Sequence, residues 1–153
     1  MSPMPLQAAR KVVYDTNVYI RAIQRGRSSA EYELLLGSLP LTYLSSVVSA
    51  ELNVGAVDSA GIRLVREFVS LAEHVGRIVT PTHGSWNETG RILGKIRIAE
   101  PNYKSILPAL FNDVLIALCA IQIGAIVCTR DKEDFELIRR YRRFDLDLIG
   151  DST

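Results

Sequence analysis

Short runs of β-branched and apolar residues alternate along this chain with longer segments of helical spacing, and few folds accommodate that order. "KVVY" (11–14), "LTYL" (41–44), "RIVT" (77–80), "AIVC" (125–128) and "LDLI" (146–149) each have the length and composition of one strand. Between them, Leu34, Leu35 and Leu39 follow a "SSAE" start that fits a capping box. Ile62, Leu64, Val65, Phe68, Val69, Leu71 and Ala72 keep helical spacing up to Gly76. Parallel strands need crossovers long enough to hold a helix, and those helices cover both faces of the sheet. The expectation is therefore an α/β chain with a mainly parallel central sheet. With 153 residues and 48% hydrophobic content, the core suffices for one domain, read here over 11–149 between a loose lead-in (1–10) and a short tail (150–153).

A net charge of +1 excludes a surface dominated by one sign, so any nucleic-acid contact must come from a local patch or through bound cations. Cys119 and Cys128 lie among Leu118, Ala120 and Val127 without C-x-x-C spacing, which points to buried thiols in a reducing, cytoplasmic setting. "MSPMPLQAARK" lacks an apolar run of signal-peptide length. The most apolar segment, 114–128, is broken by Gln122 and Gly124 and falls short of the roughly 20 residues a bilayer requires. It reads as core, and no membrane association is expected.

Open parallel sheets gather functional groups at the carboxyl ends of their strands. Asp15 directly follows the first strand in "VVYDTNVYI", and Asp131 comes three residues after Cys128 in "AIVCTRDKEDF". Each has an ordinary structural role open to it, Asp15 as the cap of a helix starting near Asn17 and Asp131 as the cap of "KEDFELIRR". Glu51 and Asp113 resist that explanation. Glu51 has Val47, Val48 and Val54 a turn away, and Asp113 sits among Ala109, Leu110, Ile116 and Ala117, so both emerge from apolar helix faces. No Lys or Arg lies within four residues of either. An unpaired buried carboxylate is costly, and four converging ones raise one another's pKa until a cation neutralises them. An all-oxygen set, with the hydroxyls of Thr16 and Thr129 nearby, suits Mg²⁺ or Mn²⁺ and the hydrolysis of phosphodiesters. His74 and His83 have no metal-ligand spacing.

These segments, in this order, resemble the PIN domain family and in particular its VapC-like toxins. "VVYDTNVYI" is similar to the family's opening Asp-Thr-Asn stretch, carried by Asp15, Thr16 and Asn17, and "SAEL" places Glu51 at the second acidic position. "FNDVLIALCA" resembles the helix bearing the third acid, Asp113, and "CTRDKEDF" the closing pattern, with Asp131 as fourth acid and Asp134 as an accessory one. The resemblance implies a three-layer α/β/α fold around a five-stranded parallel sheet, and Mg²⁺- or Mn²⁺-dependent cleavage of RNA. It further implies a homodimer and a cognate antitoxin that blocks the site. Asp15, Asp113 and Asp131 are then expected to hold the cation while Glu51 positions or deprotonates the attacking water. The stretch "IAEPNYKSILP", 98–108, is longer than the family's usual link before the third acid.

RNA is held largely through its phosphates, and "LIRRYRRFD" offers Arg139, Arg140, Arg142 and Arg143 around Tyr141. A helix end with arginines complementing its dipole explains the same residues. Arg91 and Lys95 share one helix face and form a second candidate patch. Two rivals stand beside the nuclease reading. One is a non-catalytic PIN-like module that binds RNA or protein through a degenerate site, against which all four acids are present. The other is a haloacid-dehalogenase-type phosphohydrolase with Asp15 as nucleophile. That class uses a second Asp two residues later, where this chain has Asn17.

Overall fold

The computed structural model describes residues 10–150. The lead-in and the tail therefore lie outside the described residues, except for Arg10 and Gly150. The chain enters through β1 (Val12–Tyr14), α1 (Thr16–Arg25) and α2 (Ala30–Ser38), and a 3₁₀ turn leads into β2 (Leu44–Ser45). Two helices, α3 (Ser46–Gly55) and α4 (Ser59–His74), precede β3 (Ile78–Val79). Then come α5 (His83–Ala99), a second 3₁₀ turn (Pro101–Ile106), α6 (Leu107–Ile123), β4 (Ile126–Thr129), α7 (Lys132–Tyr141) and β5 (Leu146–Leu148).

All strand pairings are parallel, as the alternation predicts. The five strands expected in one sheet instead divide into β1-β4-β5 and β2-β3. Among the described residues one isolated parallel bridge, Val12 with Thr42, joins the two, and the Tyr43 N–H donates to the Val12 carbonyl at 2.9 Å. The reason is local. β2 lasts two residues before the Ser45 hydroxyl accepts the Val47 N–H at 3.2 Å and turns the chain into α3, too early for a ladder with β1. Val12, Val13 and Tyr14 are all buried although successive side chains point to opposite faces, so β1 is covered on both sides. α1 packs against β4 and gathers α2 and α3, while α6 packs against β1 and β4 and gathers α5 and α7.

The first helical segment differs in detail from its reading. Ser29, and not a Ser28–Glu31 capping box, starts α2 by accepting the Tyr32 N–H at 3.1 Å. Glu31 is buried and faces arginines instead. The segment 62–72 is helical within α4, but Ile62, Leu64 and Leu71 stand exposed.

α6 is the pillar of the core. Leu110 and the run Val114 to Ala120 are buried, and Gly124 ends the helix in the left-handed conformation (φ 67°, ψ 31°), where glycine avoids a Cβ clash. Residues Pro101–Ile123 are long and apolar enough to cross a membrane by composition, and 44% of that apolar window is buried inside the fold, Leu110 and Val114 to Ala120 among it. The stretch 98–108 folds as the end of α5, the second 3₁₀ turn and the start of α6. It is tied to α7 by the Tyr141 hydroxyl, which donates to Glu100 at 2.7 Å. Burial predicts an asymmetry between two isoleucines. Ile116→Ala, at 0% exposure, should cost about 2–5 kcal/mol, whereas Ile98→Ala, at 84%, should change stability by about 0.5 kcal/mol or less. Urea midpoints measure both, and equal small shifts would show that α6 is not the core.

Candidate metal centre

Register builds the site. Tyr14 pairs with Cys128, so the residues that follow, Asp15 and Thr129, arrive abreast at the carboxyl ends of β1 and β4. The Asp15 N–H donates to the Cys128 carbonyl at 2.9 Å and extends the pairing by one step. Asp15 is buried at 5% exposure and each of its oxygens is held. Oδ1 accepts the Thr16 N–H at 2.8 Å, capping α1, and Oδ2 accepts the Thr129 hydroxyl at 2.7 Å. Thr129, fully buried, accepts in turn the Asp131 N–H at 3.0 Å and, more loosely, the Asn17 amide at 3.5 Å. One hydroxyl thus fixes both strand-end acids. Asp131 caps α7 by accepting the Asp134 N–H at 3.1 Å, which brings Asp134 onto the same rim.

The helix acids approach from opposite elements. The Thr16 hydroxyl donates to Glu51 Oε1 at 2.9 Å and ties α3 to the start of α1. Val54 is 83% exposed, so the face of α3 that carries Glu51 is less apolar than its spacing suggests; Val48 alone of its apolar neighbours is fully buried. On α6, Asp113 lies half-buried with Leu110, Ile116 and Ala117 buried around it. Asp113, Asp131 and Asp134 each offer one oxygen, all within 4.8 Å of one another. Asp134, read as accessory, therefore stands in the tightest trio, with Asp15 and Glu51 flanking it.

Electrostatics record the crowding. Burial first, and then the charges of Asp15, Asp131, Asp134 and Glu51, push the Asp113 carboxyl up to about 9. Burial also lifts Asp15 to about 6, with Glu51 and Asp131 adding to the rise while the Thr129 and Thr16 hydrogen bonds oppose it. Asp134 is raised too, by burial and by its hydrogen bond with Asp131. The ion pairs between described residues join Arg10 to Asp145, Arg21 and Arg130 to Glu31, Arg140 to Glu100 and Arg142 to Glu88, and none engages these five acids. The donor set fits a hard divalent cation. Its ligand atoms from Asp113, Asp131 and Asp134 are carboxylate oxygens, the donors that Mg²⁺ and Mn²⁺ prefer.

Both candidate caps turn out to be caps and members of the cluster at once, so the two roles of Asp15 and Asp131 are compatible. Of the arginines considered for RNA, Arg140 pairs with Glu100 at 3.5 Å and Arg142 with Glu88 at 2.8 Å, while Arg139, Arg143, Arg91 and Lys95 are exposed. His74 and His83 are exposed and apart from the cluster. Both cysteines are buried and free. Sequence reasoning missed the buried Glu31 and its partner Arg130, a pairing across 99 positions that no local pattern announces.

The PIN domain family model matches residues 12–141. The chain belongs to the PIN domain family. PIN domains are generally nucleases and generally use divalent metals, and an acidic cluster is present here. This PIN domain has the fold of VapBC2 from Rickettsia felis bound to a DNA fragment from its promoter (20% identity over 91% of this chain and 98% of that one, TM-score 0.61). DNA-bound VapBC from Salmonella typhimurium is similar (21%, 90% and 97%, 0.62), as is FitAcB from Neisseria gonorrhoeae (25%, 88% and 95%, 0.58). No curated protein matches the chain significantly.

Two outcomes follow from the geometry. Carboxyls whose folded pKa exceeds the ordinary 3.8 keep protons that the unfolded chain has released, so they destabilise the metal-free PIN domain as pH rises. Melting temperature in chelator should fall between pH 3.8 and about 6 through Asp15 and Asp113, and on to about 9 through Asp113. Asp113→Asn should flatten the upper part and millimolar Mn²⁺ should restore stability; an unchanged pH profile in Asp113→Asn contradicts the crowding. Separately, Thr129→Val keeps shape but strands Asp15 Oδ2 and the Asp131 N–H, at a cost of about 1–3 kcal/mol in urea unfolding.

Proposed function

We propose that this PIN domain is a divalent-metal-dependent endoribonuclease and the toxin of a toxin-antitoxin pair. The observation that carries the reading is the convergence of Asp15, Glu51, Asp113, Asp131 and Asp134 at the ends of β1 and β4 without a basic counterion among the described ion pairs. Such a pocket is electrostatically tolerable once a cation enters it. Asp15, Asp113, Asp131 and Asp134 would hold Mg²⁺ or Mn²⁺, which when bound supplies Lewis acidity toward the phosphodiester and lowers the pKa of water.

The remaining work belongs to the chain. Glu51, oriented by the Thr16 hydroxyl, takes a proton from the attacking water. Oxygen of that water bonds to phosphorus as the bond to the ribose O3′ breaks, and the departing O3′ takes a proton from solvent, leaving a 5′-phosphate and a 3′-hydroxyl. Thr129 and Asn17 hold Asp15 and Asp131 in register, which removes reorganisation from the reacting geometry.

A cognate antitoxin is supported by an apolar groove of about 240 Å³ between α1, α2 and α4, where Leu36, Leu64 and Leu71 stand exposed beside Tyr19 and Phe68. A homodimer is supported by two solvent-facing valines, Val54 and Val57, 83% and 87% exposed. Two free buried thiols accord with a cytoplasmic setting.

The test is cleavage of labelled structured RNA with millimolar Mn²⁺ or Mg²⁺, with and without chelator, and with a DNA of the same sequence alongside. RNA should be cut only with metal. Asp15→Asn and Asp113→Asn, which keep side-chain size, should lower kcat by on the order of 10²-fold or more with far-UV spectra unchanged. Asn variants that cut as fast as the parent would remove these carboxylates from the mechanism.

A further inference from the structure

A second, polar cleft of about 600 Å³ opens between α1, the start of α2 and the turn after β4. Its walls carry the guanidinium groups of Arg21, Arg25 and Arg130, the hydroxyls of Ser28 and Ser29, and the Glu31 carboxylate. Arg21 and Arg25 stand four positions apart on α1 and so share a face. Arg130 lies between Thr129 and Asp131, which means one turn delivers a carboxylate to the acidic crevice and a guanidinium to its neighbour. Its backbone N–H reaches Asn17 at 3.4 Å, tying the turn to the same residue that supports the metal-ligand candidates.

Glu31 organises this cleft. At 4% exposure, it pairs with Arg130 Nη1 at 2.8 Å and Arg21 Nε at 3.3 Å, and so holds two guanidinium planes at the wall. A buried carboxylate is stable there because two arginines offset its charge. Arg25 is exposed at the mouth. The first turn of α2, capped by Ser29, adds the positive end of a helix dipole.

We infer that this cleft receives a backbone phosphate of the RNA strand adjacent to the scissile one, an inference that rests on the ribonuclease reading. Planar guanidiniums with forked donors match phosphate oxygens better than they match apolar side chains. The protein-like alternative has better surfaces elsewhere, in the apolar groove and around Val54 and Val57. Position agrees as well. Asp15 caps α1 and Arg21 lies six residues along it, about 9 Å at 1.5 Å per residue, so one strand can occupy both clefts. The cation would neutralise the scissile phosphate while Arg25, exposed beside the Glu31 cluster, would face its neighbour, giving the strand a direction across the site.

The experiment measures binding apart from cleavage. Asp113→Asn protein, slow to cut, is titrated against a fluorescent single-stranded RNA at several salt concentrations, alone and combined with Arg25→Ala, Arg25→Lys or, as a charge control on α4, Arg63→Ala. Arg25→Ala should weaken binding about 3–10-fold and lower the slope of log K against log salt by about 0.7, the value of one phosphate contact on a single strand. Arg25→Lys should recover most of the slope, and Arg63→Ala should match the parent within about twofold. Equal affinity and slope for parent and Arg25→Ala, with both folded by circular dichroism, overturns the cleft assignment. Cleavage by the unsubstituted protein is scored independently. RNA cut normally by Arg25→Ala with unchanged KM sinks the cleft alone, whereas Arg25-dependent binding without any metal-dependent cutting sinks the nuclease reading.

Discussion

Parallel pairing of β1 with β4 is the constraint from which the acidic crevice follows. Because Tyr14 faces Cys128, the next residues on each strand meet at the sheet's edge, and Thr129 can give its single proton to Asp15 while accepting from the Asp131 backbone. A slip of one residue would turn every side chain of β4 to the other face and move Thr129 away from Asp15. The same pairing therefore serves packing and chemistry together. Its strength comes from burial on both faces, with α6 packed against β1 and β4 and α1 against β4.

That frame is rigid enough to sustain an arrangement that opposes folding. Five carboxylates share one rim, and Asp113 is driven to about 9 because burial and four neighbouring charges act in the same direction. The core on α6 must offset this repulsion when no cation is present. Hydrogen bonds from Thr16 and Thr129 soften the effect at Asp15, which rises only to about 6. Asp113 has no such donor among the described hydrogen bonds and bears the largest shift. The charge pattern is also partitioned: acids line one crevice, and Glu31 gathers arginines into the next. Arg130, placed between the two, marks where the sign of the surface changes.

Much of the fold was legible because period and composition act locally. Four of the five short runs became strands within a residue, while 41–44 overlaps β2 only at Leu44, and the apolar 114–128 segment became the end of the core helix and the strand that follows it. Legibility failed where a distant partner overrode a local pattern. "SSAE" looks like a capping box, but Glu31 swings to Arg130, whose position 99 residues away carries no signal in the window. The single sheet failed for a related reason, since Ser45 begins α3 before β2 can complete a ladder with β1. Tyr141 and two of its neighbouring arginines, read as a loose basic patch, are held by Glu100 and Glu88 on and just beyond α5.

By itself the sequence determined the parallel α/β class and singled out carboxylates as candidates, because helix and strand periods are local and a carboxylate amid apolar neighbours is anomalous wherever it sits. It also set the capping roles of Asp15 and Asp131, which depend only on the adjoining residues. Tertiary structure alone decided which oxygens come within 4.8 Å, that Asp134 joins Asp113 and Asp131 there, and that Thr129 is the clasp between two strand ends. It likewise decided that Glu31 is a buried anchor for two arginines. These are distances between segments remote in the chain, set by strand register and helix packing, and no local pattern encodes them.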